Sequence, residues 1–128
     1  MKIEHFALNV ESPVEMREWY VNHLHFDIVK QEKKPPFTTF LADESGQVML
    51  EIYNNPSDNV PDYHGMNPLI VHLAFTSEHP EKEKDRLVEA GASEVSNEEL
   101  EDGSHLIMLR DPWGLAIQLC KRGKKMLP

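Results

Sequence analysis

The sequence predicts an α+β fold of two tandem modules, each with the order strand, helix and then three strands. Two clusters of segments alternate between apolar and polar residues, as strands do, and each cluster contains one segment with helical periodicity. The second cluster repeats the first at a constant offset of 67 residues. We therefore predict a single domain over residues 1–128, with module one at 1–54, a linker at 55–68 and module two at 69–128.

The strands of the first module are predicted from period-two alternation. Residues 2–10 alternate, and His5 lies on the face opposite the more apolar one. Further strand patterns follow near 26–31, 37–42 and 47–53, and turn-forming residues separate the last two.

A helix is predicted between the first two strands, over residues 13–24. Ser12 suits the N-cap, Pro13 suits the first helical position, and Glu15 completes the pattern of a capping box. Apolar residues then recur at helical spacing, which predicts an amphipathic helix that packs on the sheet.

The second module repeats this order after the segment 54–68, which is dense in Asn, Pro and Asp and has no periodicity. LIVHLAFTS, residues 69–77, predicts a strand, and residues 80–90 predict a helix that Gly91 ends. Strands are predicted near 93–97, 104–110 and 115–121.

Composition excludes several classes of function. The net charge of −9 argues against binding to a phosphate backbone, and the basic stretch 121–125 is typical of a solvated tail. No apolar run approaches the roughly 20 residues that span a bilayer. Cys120 has no second cysteine to pair with, and the first residues enter a strand pattern without the features of a signal peptide. We expect a cytoplasmic protein that binds neither nucleic acid nor membranes.

The repeat places polar residues of the two modules in equivalent positions. At the same offset His5 falls on His72 and Glu51 falls on Gln118, so the spacing from the histidine to the second polar residue is 46 residues in both modules. A buried carboxylate such as Glu51 needs a compensating cation or a hydrogen-bond network. Each residue alone has an ordinary structural explanation, but the four together form a nitrogen and oxygen set that suits a divalent first-row metal. We predict one metal site, with nickel, zinc, cobalt, manganese and iron left open.

The chain resembles the vicinal oxygen chelate superfamily, which includes glyoxalases, extradiol dioxygenases and bleomycin resistance proteins. The resemblance rests on HFALNV, HLAF, LEIY and RDPWGLAIQL and covers nearly the whole chain. It implies paired βαβββ modules whose curled mixed sheets enclose a central metal-binding cavity. It also implies that His5, Glu51, His72 and Gln118, on the first and last strands of the modules, are the ligands.

The resemblance further implies a metal-dependent lyase or isomerase of the glyoxalase type. Such members chelate a small vicinally oxygenated substrate on the metal, which acts as a Lewis acid, while a carboxylate moves a proton. Gln118 cannot act as a base, so Glu51 is left as ligand and base, which departs from the ordinary glyoxalase pattern. In the related epimerases a further carboxylate takes part, for which Glu99 and Glu101 are candidates, although both suit a solvated acidic loop.

Other outcomes stay open. His5, His72 and Glu51 alone would make the facial triad that the dioxygenases use. A metal-free binding protein for a cationic or aromatic small molecule, like the bleomycin-sequestering members, is the alternative function, and a relative that has lost its activity is a third. Many relatives are homodimers, which we also expect here. The candidate substrate-binding residues are Met49, Tyr53, His105, Met108 and Trp113.

Overall fold

The computed structural model describes residues 1–128 and divides them into two compact units, Met1–Pro61 and Asp62–Pro128. The division falls inside the predicted linker. That the units make a single domain remains a prediction, and each unit is described by itself below.

The first unit contains one helix and a four-stranded mixed sheet. Its elements are β1 (His5–Asn9), α1 (Pro13–Leu24), β2 (Asp27–Gln31), β3 (Thr39–Ala42) and β4 (Met49–Tyr53). The strands lie in the order β1-β4-β3-β2, with β1 parallel to β4 and the other pairs antiparallel. The sheet is open, because β1 and β2 form its two edges.

The second unit has the same order of elements and the same topology. Its elements are β5 (Leu73–Thr76), α2 (Pro80–Glu89), β6 (Ser93–Glu99), β7 (His105–Arg110) and β8 (Ala116–Lys121). The strands lie in the order β5-β8-β7-β6, with only β5 and β8 parallel. The predicted α+β class with two repeated βαβββ modules is therefore confirmed. The enclosed central cavity remains a prediction.

Helix α1 has the predicted bounds, but its predicted capping box is wrong. Pro13 occupies the first turn, and the first helical bond runs from the Met16 amide to the Ser12 carbonyl at 3.0 Å. The Ser12 side chain makes no capping hydrogen bond, so the restricted proline begins the helix without it. The helix ends at Leu24, and its C-cap residue His25 has a left-handed φ of 58°.

Helix α2 ends at Glu89, and Gly91, which has a φ of +113°, closes it as predicted. The Gly91 amide donates to the Val88 carbonyl at 3.1 Å, and the Ala92 amide donates to the Leu87 carbonyl at 2.9 Å. These two bonds make a Schellman motif, which glycine favours because it tolerates positive φ. Neither α2 nor α1 is long and apolar enough to cross a membrane.

Each unit buries one face of its sheet under its helix. In the first unit Leu41, Leu50 and Ile52 are at most 4% exposed, and Met16, Trp19 and Tyr20 of α1 are buried as well. In the second unit the buried set comprises Leu87 of α2 with Ile107, Leu109, Ile117 and Leu119 of the sheet. The opposite face carries His5 and Glu51 in the first sheet and Gln118 in the second.

The strand predicted over residues 69–77 begins later than expected. Strand β5 starts at Leu73, and the residues before it form a turn at Asn67. The Asn67 side chain accepts the Leu69 amide at 2.9 Å, and its carbonyl accepts the Ile70 amide at 2.9 Å. The Asn-Pro turn therefore takes up backbone groups that the apolar run LIV would otherwise offer to a strand.

Candidate functional site

His5 and Glu51 lie side by side in the first unit because β1 and β4 are parallel neighbours. The register pairs Ala7 with Glu51 and His5 with Met49, and alternation puts all four side chains on one face. The His5 Nε2 atom is 3.2 Å from Glu51 Oε2. The Glu51 side chain is 17% exposed, so most of this carboxylate is shielded from water.

The other nitrogen of His5 also faces a carboxylate. Its Nδ1 atom is 2.9 Å from Glu4 Oε1, and the ring meets the edge of Phe40 at a centroid distance of 5.7 Å. Histidines that bind metals almost always donate their second N–H to a carboxylate or a carbonyl, which fixes the ring. His5 has this arrangement when Nδ1 carries the proton that faces Glu4, and its Nε2 atom then faces Glu51.

His72 is oriented through a backbone carbonyl. It precedes β5, is half-buried, and its Nδ1 atom is 2.8 Å from the Pro68 carbonyl oxygen. A carbonyl only accepts hydrogen bonds, so this contact assigns the proton of the neutral ring to Nδ1 and leaves Nε2 with a free lone pair. His72 therefore matches the pattern that a metal-binding histidine requires.

Gln118 lies on β8, between Ala74 of β5 and Met108 of β7. Its Oε1 atom accepts a hydrogen bond from the Cys120 thiol at 3.2 Å. Burial raises the pKa of the Cys120 thiol, which keeps it protonated as the donor. An amide oxygen has two lone pairs, so Gln118 can still offer one to a ligand.

The spacing of His5 and Glu51 is compatible with a shared metal ion. Two atoms each about 2.1 Å from one metal are about 3.0 Å apart at a right angle and about 3.4 Å apart at a tetrahedral angle. The observed 3.2 Å lies between these values. The structure brings no three His, Cys, Asp or Glu side chains into position to hold a metal ion. The convergence of all four predicted ligands therefore remains a prediction.

The candidate substrate-binding residues lie in four different places. Met49 and Tyr53 share the face of Glu51, and Met108 pairs directly with Gln118. Trp113 lies in the turn between β7 and β8. His105 pairs with Lys121, which puts it on the face opposite Gln118.

His105 is held on that opposite face by polar partners. Its Nε2 atom is 2.6 Å from Asn97 Oδ1 and 3.6 Å from Glu81 Oε1 of α2. Glu99 pairs with His105 and shares its face, while Glu101 is exposed in the following turn. The register thus places His105 and Glu99 on the face opposite Gln118.

An open recess lies beside the start of β1 and β4. It has a volume of about 640 Å³ and is lined by Lys2, Ile3, Gln47 and Val48. Small-molecule sites are typically about 300–1,000 Å³. The recess adjoins the end of the strand pair that carries His5.

The sequence analysis missed Arg110, which binds the linker to the second unit. Its guanidinium donates to the carbonyls of Tyr63 and Met66, each at 2.8 Å, and to that of Gly114 at 3.1 Å. The available signal was an arginine at the end of an apolar strand, directly before the turn DPWG. An arginine there needs acceptors, but the sequence does not show which ones.

Comparison with known proteins identifies a family. The family model described as "Glyoxalase/Bleomycin resistance protein/Dioxygenase superfamily" matches residues 2–119. No curated protein matches the sequence.

Solved structures resemble the whole chain. SMU.1112c is 26% identical, with a TM-score of 0.73 over 94% of this chain and 98% of that one. A glyoxalase family protein from Enterococcus faecalis is 24% identical, with a TM-score of 0.73 over 94% and 97%. TnmS3, an antibiotic binding protein from Streptomyces sp. CB03234, is 16% identical, with a TM-score of 0.73 over 95% and 96%. The similarities to the Enterococcus faecalis protein and to TnmS3 show that these proteins share a fold with this chain.

Proposed function

Because the chain belongs to the Glyoxalase/Bleomycin resistance protein/Dioxygenase superfamily, we propose that it is a metal-dependent lyase or isomerase of the glyoxalase type. Its substrate would be a small molecule with oxygens on neighbouring carbons. The observation that carries this proposal is the His5–Glu51 pair, 3.2 Å apart, with the second nitrogen of His5 held by Glu4. The orientation of His72 by the Pro68 carbonyl supports it.

The proposed metal ligands are His5, Glu51, His72 and Gln118, which would hold one divalent transition metal. Once bound, the metal would supply Lewis-acid stabilisation of negative charge on a substrate oxygen. The two imidazoles would bind as neutral donors through Nε2, with Nδ1 in contact with Glu4 in His5 and with the Pro68 carbonyl in His72.

Glu51 is the proposed base, because it is the only carboxylate among the four ligands. Gln118 has no ionisable group and binds only through its amide oxygen. Water is largely excluded around Glu51, which strengthens its electrostatic interactions with a substrate. Met49 and Tyr53, on the same face, are proposed to contact the substrate, and the adjoining recess gives it space.

A metal-free binding protein is the second candidate function. The net charge of −9 would attract a cationic ligand, and the chain shares its fold with the antibiotic-binding TnmS3. In that case the His5–Glu51 pair would be an ordinary polar contact. Metal content separates this candidate from the enzyme.

The assembly and location of the protein are part of the same proposal. We propose a homodimer, since the first unit exposes Ile3 and Phe6 and the second exposes Leu69 and Ile70. The free Cys120 is compatible with a reducing cytoplasm.

Elemental analysis of the untagged protein tests the proposed function. We expect about one equivalent of a transition metal per site, and a sharp loss in Glu51→Ala because an anionic ligand is gone. The matched control is Glu44→Ala, which removes an exposed glutamate from a turn and should leave the metal content unchanged.

The same measurement can reject the proposal. Protein that contains no metal and fails to bind added nickel, cobalt, manganese, iron or zinc would exclude the enzyme mechanism. Screening for small-molecule binding would then test the second candidate.

A further inference from the structure

Arg110 fixes the segment that leads to His72. Two of its hydrogen bonds go to Tyr63 and Met66, and the third goes to Gly114 in the turn after β7. A guanidinium bound to three carbonyls is a strong and geometrically defined contact, because its donors are charged and rigidly arranged. Arg110 therefore joins the linker to the end of the sheet.

The order imposed at Met66 continues to His72 through successive hydrogen bonds. Asn67 follows Met66 directly and holds the turn at Leu69 and Ile70 through its side chain and its carbonyl. Pro68, inside that turn, offers the carbonyl that is 2.8 Å from His72 Nδ1. The position of this carbonyl thus depends on the turn. The turn begins at Asn67, directly after Met66, the last linker residue that Arg110 contacts.

Arg110 also shares a sheet face with the other candidate ligand of this unit. It pairs with Ala116, and Met108 pairs with Gln118, so alternation places Arg110 and Gln118 on the same face. The linker that orients His72 is therefore attached to β7, the strand that flanks the strand of Gln118.

We propose that Arg110 is a positioning residue that sets the orientation and tautomer of His72 relative to Gln118. It acts through the linker backbone and touches neither the metal nor the substrate. The role of Arg110 in metal binding rests on the proposed function. Its effect on the His72 tautomer does not, because that effect is measured on metal-free protein.

The first test is nitrogen-detected NMR of metal-free protein at about pH 8.5, where histidines are ordinarily neutral. In the unmodified protein we expect the His72 proton on Nδ1. In Arg110→Lys, which keeps the charge but loses the planar set of donors, we expect His72 to populate the Nε2–H form substantially. Arg122→Lys, at an exposed residue of the C-terminal basic stretch, should leave the tautomer unchanged.

A purely structural role predicts a different result. If Arg110 only stabilises the fold, Arg110→Lys will unfold at a lower denaturant concentration but its folded form will keep the Nδ1–H tautomer, which overturns the proposal. If Arg110→Lys does not fold, Asn67→Ala takes its place, because it loosens the same segment without touching Arg110. An unchanged tautomer in that variant would equally overturn the proposal.

Calorimetric titration with nickel alone tests the consequence for metal binding. We expect Arg110→Lys to bind nickel about 10- to 100-fold more weakly, the usual loss when the group that orients a metal ligand is removed. Equal affinity in the two proteins would overturn the proposed effect on metal binding. If the unmodified protein binds no nickel or other metal, the proposed function fails, while the tautomer measurement still decides the role of Arg110.

Discussion

At the scale of single residues, both candidate histidines are held by acceptors close to them in the chain. Glu4 is adjacent to His5, and Pro68 lies four residues before His72. The two modules thus orient equivalent histidines with different partners, a carboxylate in one and a carbonyl in the other. A carboxylate makes an imidazole a stronger ligand than a carbonyl does, so we expect His5 to bind a metal more tightly than His72.

A carboxylate outside the candidate site gives a pH prediction at this scale. A hydrogen bond from the Ser104 amide, 2.9 Å long, holds the pKa of Asp102 below its ordinary value of about 3.8. A lowered pKa in the folded state means that this carboxylate stabilises the protein above pH 3.8, and that the stabilisation disappears as the pH falls through the lower folded value.

The substitution Asp102→Asn should therefore destabilise the protein near neutral pH and have little effect in acid. Urea denaturation of both proteins at about pH 7 and about pH 2.5 measures this difference. A difference in the free energy of unfolding that is equal at the two pH values would contradict the assignment.

At the scale of elements, the turn between β7 and β8 depends on one glycine. Gly114 has a φ of +96°, and a methyl group there would lie 2.5 Å from the backbone nitrogen of His64 and 2.6 Å from its ring Cγ. The linker therefore packs against the turn at a place where only glycine fits. Gly46 has a similar φ of +67° but has no atom within 4 Å of such a methyl group.

The pair Gly114→Ala and Gly46→Ala separates backbone strain from this close packing. Gly46→Ala should cost about 1 kcal/mol, because only the positive φ opposes it. Gly114→Ala should cost about 2–4 kcal/mol, because the linker must also move. Urea denaturation measures the free energy of unfolding of both variants. Equal losses would mean that the linker moves away from the added methyl group at no cost.

The elements also show how far sequence alone could go. Helix α1 and the end of α2 were predicted closely, because Pro13 and Gly91 act within a few residues of themselves. The start of β5 was missed because the turn at Asn67 competed successfully with an apolar run. Local sequence patterns therefore predicted which elements form better than they predicted the residues at which those elements begin and end.

The candidate site was predictable only in part. The repeat identified His5 and Glu51, and the parallel pairing of β1 and β4 brings their side chains together. Arg110 was missed because two of its three acceptors are backbone carbonyls 44 and 47 residues away, and a sequence does not show where carbonyls lie. Contacts made by backbone atoms need a structure.

At the scale of the whole molecule, the assembly can be tested directly. Leu69 and Ile70 are 80% and 72% exposed, and covering such apolar side chains in a dimer is favourable. Sedimentation equilibrium should give about twice the chain mass of 14.8 kDa. The substitution Leu69→Glu should shift the protein toward monomer, whereas Val88→Glu, at an exposed position of α2, should not. A monomer at every concentration would exclude the proposed dimer.

The parallel pairing of β1 with β4 also determines when the candidate site forms during folding. Ala7 and Glu51 are partners in this pairing, whereas β2, β3 and β4 join through shorter connections. Closing the longer loop costs more chain entropy, so β1 should join the sheet after β2, β3 and β4 have assembled. The two residues that carry the proposed chemistry then meet late, and substitutions at His5 or Glu51 would change the rate of unfolding more than the rate of folding. Evolution can thus change the residues at positions 5 and 51, and with them the chemistry of the site, with little effect on the folding rate of the module.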